Sequence, residues 1–100
     1  MSPLKDLFDK EKGVLSKAEK RLAQADRDRQ AKGEDRAAAS YDKLFNYLEG
    51  SRDVFDRHKG DFSRVYTQLA GRLEGCGHDA EAVRAYDRAL GLDEANFDAL

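Results

Sequence analysis

A lone cysteine cannot form an internal disulfide, so this 100-residue chain holds together without one. That fits a reducing compartment. Tryptophan is absent, and proline occurs once, at residue 3, so nothing further along breaks a helix by ring geometry. No apolar run approaches the roughly 18–20 residues of a membrane span, and the N-terminus lacks the apolar core of a signal peptide. Charge of one sign is missing too. The 18 basic and 20 acidic residues leave a net charge of −2, without the one-sided basic surface that nucleic-acid binding requires. The expectation is a cytoplasmic protein with neither nucleic acid nor membrane as partner.

The chemistry-bearing patterns are also absent. Neither GxxxxGK nor GxGxxG occurs, so no glycine loop cradles phosphates. His58 and His78 stand twenty residues apart with no histidine, cysteine or paired carboxylate at ligand spacing, so no metal site is expected. Cys76 lies between Gly75 and Gly77, and His78, two residues on, is poorly placed to activate it across a turn. With no catalytic constellation in view, the expectation is a non-enzyme without a cofactor.

What remains is helix. Apolar residues make up 40% and charged residues 38%, a modest core under a polar surface, and β-branched runs are scarce. Ser2 and Pro3 suit a helix start. Leu4, Leu7, Phe8, Val14, Leu15, Ala18, Leu22 and Ala25 then keep one face, predicting a helix over residues 3–31. Gly13 is its weak point, and a break there, giving a helix pair, is the alternative. Residues 26–36 are nearly all charged or small and read as a solvated helix end followed by a turn at Lys32–Gly33. Ala37, Ala38, Tyr41, Leu44, Phe45, Tyr47 and Leu48 resume the helical spacing.

Residues 50–61 follow as an insert. Val54 and Phe55 give it a small apolar face for a short helix, and Asp61 is placed to cap the next one. A role for Phe55 or His58 in presenting the insert to a partner is the other reading. Residues 61–92 then form a hairpin. Val65, Tyr66, Leu69, Ala70 and Leu73 line one helix; Ala82, Val83, Ala85, Tyr86, Ala89 and Leu90 line the second. The turn at residues 75–79 is too short for anything but antiparallel packing, and Asp79 can cap the second helix. Gly91 weakens its end. Asp93 can cap a further helix, which residues 96–100 would open.

The stretch 63–96 resembles the tetratricopeptide repeat family. Tyr66 stands where that family has a first-helix aromatic, Leu69–Ala70 where it has Leu-Gly, and Tyr86 at the second-helix aromatic. Ala82 and Ala89 match its small helix-crossing residues. Asp93–Glu94 replaces the usual Asp-Pro, so the stopping proline is missing. The resemblance implies an all-α fold of antiparallel hairpins stacked as a short α-solenoid, with Tyr66, Leu69, Ala70, Ala82, Tyr86 and Ala89 as repeat-packing residues. Ala37 and Tyr41, in residues 34–58, repeat the Ala82/Tyr86 pair 45 residues earlier, against the family's period of about 34. They read as part of a degenerate repeat, and residues 93–100 as the start of another. The chain is then the N-terminal part of a longer protein; a short capping helix at a natural end is the alternative.

By the same resemblance, first helices line a groove for a peptide or helix of a partner protein. Arg64, Thr67, Gln68, Gly71 and Glu74 would face it, each with a plainly solvated helix face as the alternative. The family's terminal-carboxylate clamp is not expected, because Gly71 stands where that set has Asn and three full repeats are not present. A different class of role is self-association. Phe8, Leu15 and Leu22 recur every seven residues and could pair with a second copy, although packing on residues 34–48 uses the same seam.

Overall fold

The computed structural model describes residues 3–51 and 58–98, with side chains over 10–51 and 58–93. These residues form four helices and no strand: α1 (Pro3–Lys32), α2 (Glu34–Gly50), α3 (Lys59–Gly75) and α4 (Asp79–Asp98). The fold is all-α. Pro3 occupies the first helical position, where its missing N–H costs nothing. The helix runs through Gly13 without a break. Val54 and Phe55, and the short helix expected of them, lie outside the described residues.

Two glycines make the turns. Gly33 alone separates α1 from α2. Its N–H donates to the Arg29 carbonyl at 3.1 Å and its own carbonyl accepts from Ala37 at 3.2 Å, so one residue closes one helix and opens the next. Its φ of +93° with ψ of 173° is a conformation essentially reserved to glycine. After α3, the Gly77 N–H donates to Glu74 at 3.0 Å and His78 to Leu73 at 2.9 Å, with Gly77 at φ +80°. This is a Schellman termination.

Three expected boundaries differ. Asp61 does not open α3; the helix starts at Lys59 with His58 as its N-cap residue, whose carbonyl accepts from Phe62 at 2.9 Å. Asp79 is the first residue of α4 rather than its cap, since the His78 carbonyl takes the Ala82 N–H at 3.0 Å. At the far end, α4 continues through Gly91 and Asp93 to Asp98, so Asn96–Asp98 extends α4 instead of opening a new helix. An exposed mid-helix glycine costs only about 1 kcal/mol, and no proline is there to enforce a stop.

The helices pair in order. Tyr41 reaches Asp26, and Arg21 and Lys17 lie over the Tyr47 ring; one number rises as the other falls, so α1 and α2 are antiparallel. Ser63 to Ala89 and Glu74 to Tyr86 give the same sense for α3 and α4. Between hairpins the sense is parallel. Glu11 meets His58, Asp26 meets Arg72 and Arg29 meets Gly75 along α1 and α3, while Phe45 meets Arg84 and Glu49 meets Arg88 along α2 and α4.

The core lies where these faces converge. Tyr41, Tyr66, Phe62, Leu44, Leu48, Leu69 and Leu73 are its largest fully buried side chains, each contributing about 1.5–3 kcal/mol through the aliphatic or aromatic surface removed from water. Tyr66 stands edge-on to Phe45, ring centroids 6.0 Å apart at 77°. Small residues sit at the close approaches: Ala18, Ala25 and Ala37 in the first hairpin, Ala70, Ala82, Ala85 and Ala89 in the second. The hydroxyl of buried Ser63 donates across the helix pair to the Ala89 carbonyl at 2.9 Å. Of the seven-residue seam of α1, Ala18, Leu22 and Ala25 are buried in this core and Leu15 packs at its edge, beside buried Val14; the Leu4 and Phe8 side chains lie outside the described ones.

Tyr86 is a correction. It was expected among the packing residues beside Tyr66, Leu69, Ala70, Ala82 and Ala89, all of which are buried, yet it is 36% exposed. The alanine stripe of α4 faces inward, and Val83, Tyr86 and Leu90 form a second stripe beside it that faces out. Both have helical spacing, so periodicity alone does not choose between them.

Candidate functional site

The polar features of the molecule collect where α1 meets α3. Asp26, on α1, accepts from the Tyr41 hydroxyl of α2 at 2.5 Å and from Arg72 of α3 through Nε and Nη2, both at 3.3 Å. Three helices are thus joined on one carboxylate. Burial acts to raise the Asp26 pKa, but the bidentate Arg72 guanidinium and the Tyr41 hydroxyl outweigh it and hold the carboxyl below its ordinary value. The same contact, with burial as the larger cause, pushes the Tyr41 phenol up to about 12. One turn on, Arg29 reaches the Gly75 carbonyl at 3.4 Å and Glu34 at 3.5 Å. The charged stretch 26–36 is therefore only partly a solvated helix end; Asp26 and Arg29 fasten one hairpin to the other.

Two further polar contacts complete this fastening. Glu11, 5% exposed, meets His58 Nδ1 at 2.8 Å. Glu49 accepts from Arg88 Nε at 2.8 Å and from the Tyr66 hydroxyl at 3.4 Å. His58 is thus turned into the hairpin junction rather than presented outward. At the α3–α4 turn, His78 lies 3.6 Å from Asp42. Burial raises the Asp42 pKa, with Glu81 adding to the rise and His78 opposing it, and Asp42 Oδ1 is buried without a hydrogen-bond partner.

The expected groove residues divide. Arg64, Thr67, Gln68, Gly71 and Glu74 are all exposed on α3. Arg64, Thr67 and Gln68 border a shallow open depression with Gly60, Asp61 and Asp93. The Thr67 hydroxyl is turned back to the Ser63 carbonyl at 2.9 Å. Gly71 and Glu74 lie instead at the α4 border, where Glu74 accepts the Tyr86 hydroxyl at 3.2 Å. On the α1 side of α3, Arg72 and Asp26 edge a second open depression with Gln30 and Glu34. Both hollows are open and polar, and suit an extended or helical segment better than an enclosed small molecule.

The Cys76 thiol is partly buried, and burial, with Glu34, Asp35 and Asp42 nearby and Arg29 opposing, pushes its pKa up and away from thiolate. Among the described residues no three His, Cys, Asp or Glu side chains converge as a metal set, and no helix is long and apolar enough to cross a membrane. Sequence reading missed Asp26, Arg72, Glu11 and Glu49, whose ion-pair partners lie 39 to 47 residues away. No protein-family model matches the chain, and neither the curated proteins nor the solved structures contain a match to it.

Proposed function

We propose that the chain is a non-enzymatic protein-interaction module of the cytoplasm, built as tetratricopeptide-like hairpins stacked into a short α-solenoid. Its groove, formed by α1 and α3, takes a peptide or helix of a partner protein. The observation that supports this best is the parallel pairing of α1 with α3, which sets the first helices of two hairpins side by side. The contacts Glu11–His58, Asp26–Arg72 and Arg29–Gly75 advance together along both helices. On the outward side of α3, Arg64 and Gln68 are exposed and available to a ligand.

The alternative role, self-association through α1, has less support, because Ala18, Leu22 and Ala25 of that seam are already buried within the chain. A peptide array probed with the intact chain tests the first reading. A bound peptide should be lost by about tenfold or more on Arg64→Glu with an unchanged thermal midpoint. Peptides that bind Arg64→Glu and Gln68→Glu as well as the parent protein would remove α3 from the groove.

A further inference from the structure

The stripe Val83, Tyr86 and Leu90 has an internal counterpart. A shift of 45 residues carries Ala38, Tyr41 and Phe45 of α2 onto Val83, Tyr86 and Leu90 of α4. The same shift carries Asp26 and Arg29, beside Tyr41, onto Gly71 and Glu74, beside Tyr86. The geometry follows the shift. Tyr41 bonds Asp26; the Tyr86 hydroxyl bonds Glu74 and lies 3.9 Å from where a Cβ on Gly71 would stand. The two hairpins thus present a similar tyrosine-centred face, but its carboxylate has moved: Asp26 has Gly71 as its counterpart, and Glu74 stands where Arg29 does.

Only one of those faces is covered. Ala38, Tyr41 and Phe45 are 2%, 0% and 4% exposed; α3 sets Tyr66 against Phe45 and Arg72 on the Asp26 that holds Tyr41, and Arg84 of α4 lies over the Phe45 ring. Val83, Tyr86 and Leu90 are 57%, 36% and 60% exposed. An amphipathic helix with an arginine at the carboxylate is what this face accepts where it is covered.

The surrounding charge specifies the occupant. Glu74 accepts from Tyr86, and Asp79, Asp87 and Asp93 stand three or four residues from Val83 or Leu90 along α4; all four are exposed. Arg84 and Arg88 are turned to Phe45 and Glu49 of α2, and Arg64 lies beyond the stripe, across a hollow from Asp93. The border is acidic. A second copy fits poorly. Two α4 helices packed face to face would bring acid against acid, and a head-to-tail copy would offer Arg21, Gln24 and Arg27 of α1 where α3 offers Tyr66, Leu69 and Arg72, no apolar seam at all.

We propose that Val83, Tyr86 and Leu90 form a docking seat for an amphipathic helix of a partner protein, whose apolar seam packs on the stripe and whose flanking basic residue pairs with Glu74. The stripe is on α4 and only Glu74 is shared with the α3 positions named for the groove, so the seat does not depend on the groove reading.

The test uses the intact chain and two synthetic, side-chain-stapled helices about as long as the 17-residue α3. Both carry leucines at one heptad seam; one has arginines flanking it and its twin has glutamates. The basic helix should bind saturably, with amide shifts centred on Val83, Tyr86 and Leu90, and the acidic twin about tenfold or more weaker. Leu90→Glu, at an exposed position, should abolish binding while leaving the helical circular dichroism intact, and Glu74→Arg should reverse the preference between the twins. Equal binding of the twins, shifts mapping elsewhere, or no saturable binding overturns the proposal. So does a dimer seen in sedimentation that Leu90→Glu dissolves, since the seat would then belong to a second copy.

Discussion

Tyr41 and Tyr86 occupy corresponding positions 45 residues apart, and one is fully buried while the other is open to water. Their chemistry differs accordingly. Tyr41→Ala should cost about 3–5 kcal/mol, the range for emptying a buried aromatic site. Tyr86→Ala should cost about 1 kcal/mol or less, because its ring is only partly covered and its one polar partner is the exposed Glu74. Denaturant unfolding of the two variants checks the ratio; equal losses would mean that Tyr86 is packed after all.

Glycine substitutions should have opposite signs at two positions. Gly33→Ala forces a side chain into a φ of +93° and should destabilise by about 1–3 kcal/mol. Gly13→Ala lies within α1 with open space around it and should stabilise by about 0.5–1 kcal/mol. Thermal midpoints moving in opposite directions would confirm both backbone readings.

The bond between Tyr41 and Asp26 is readable from both ends of the pH scale. Asp26 is held below its ordinary 3.8 in the folded protein. Its share of stability is therefore complete above about 3.8 and is lost as pH falls through the lower folded value. Asp26→Asn should remove this acid-dependent portion, leaving a shallower loss of stability below pH 4 in urea titrations.

At the alkaline end the sign reverses. The Tyr41 phenol is raised from 10.0 to about 12, so its share is complete below pH 10 and is lost between 10 and about 12. Tyr41→Phe should flatten stability across that window. With no tryptophan in the chain, ultraviolet absorbance follows the phenols directly, and the Tyr41 phenol should ionise only as pH nears about 12.

Close packing of the second hairpin gives a further test. Ala82 is 3% exposed against the core, and Ala82→Trp should cost about 1–3 kcal/mol by overpacking. An unchanged melting temperature would show that α4 has room where it is read as closely packed.

Local chemistry was legible in the sequence and distant chemistry was not. Pro3 marked the start of α1, Gly33 and Gly77 marked the turns, and the spacing of Leu69, Ala70 and Leu73 marked the inward face of α3. These signals act within a few residues. Tyr86 misled because α4 carries two apolar stripes, and only the neighbours decide which is covered. The end of α4 misled because an interior glycine is a weak stop and the proline that would be a strong one is missing. Asp26 and Arg72, 46 residues apart, gave no sign of each other; each looked like one more charge on a polar helix.

The single-residue joint at Gly33 has a kinetic consequence. With almost no chain between them, α1 and α2 meet at near the lowest loop-closure cost available, and the three residues between α3 and α4 do nearly as well. Asp26 and Arg72 must instead find each other across 46 residues. Folding should accordingly proceed in two tiers, each hairpin closing on its own before the pair docks. In pulsed hydrogen exchange, amides within a hairpin would gain protection before the hairpins gain their mutual fastening, making docking the slow step that Asp26 and Arg72 control.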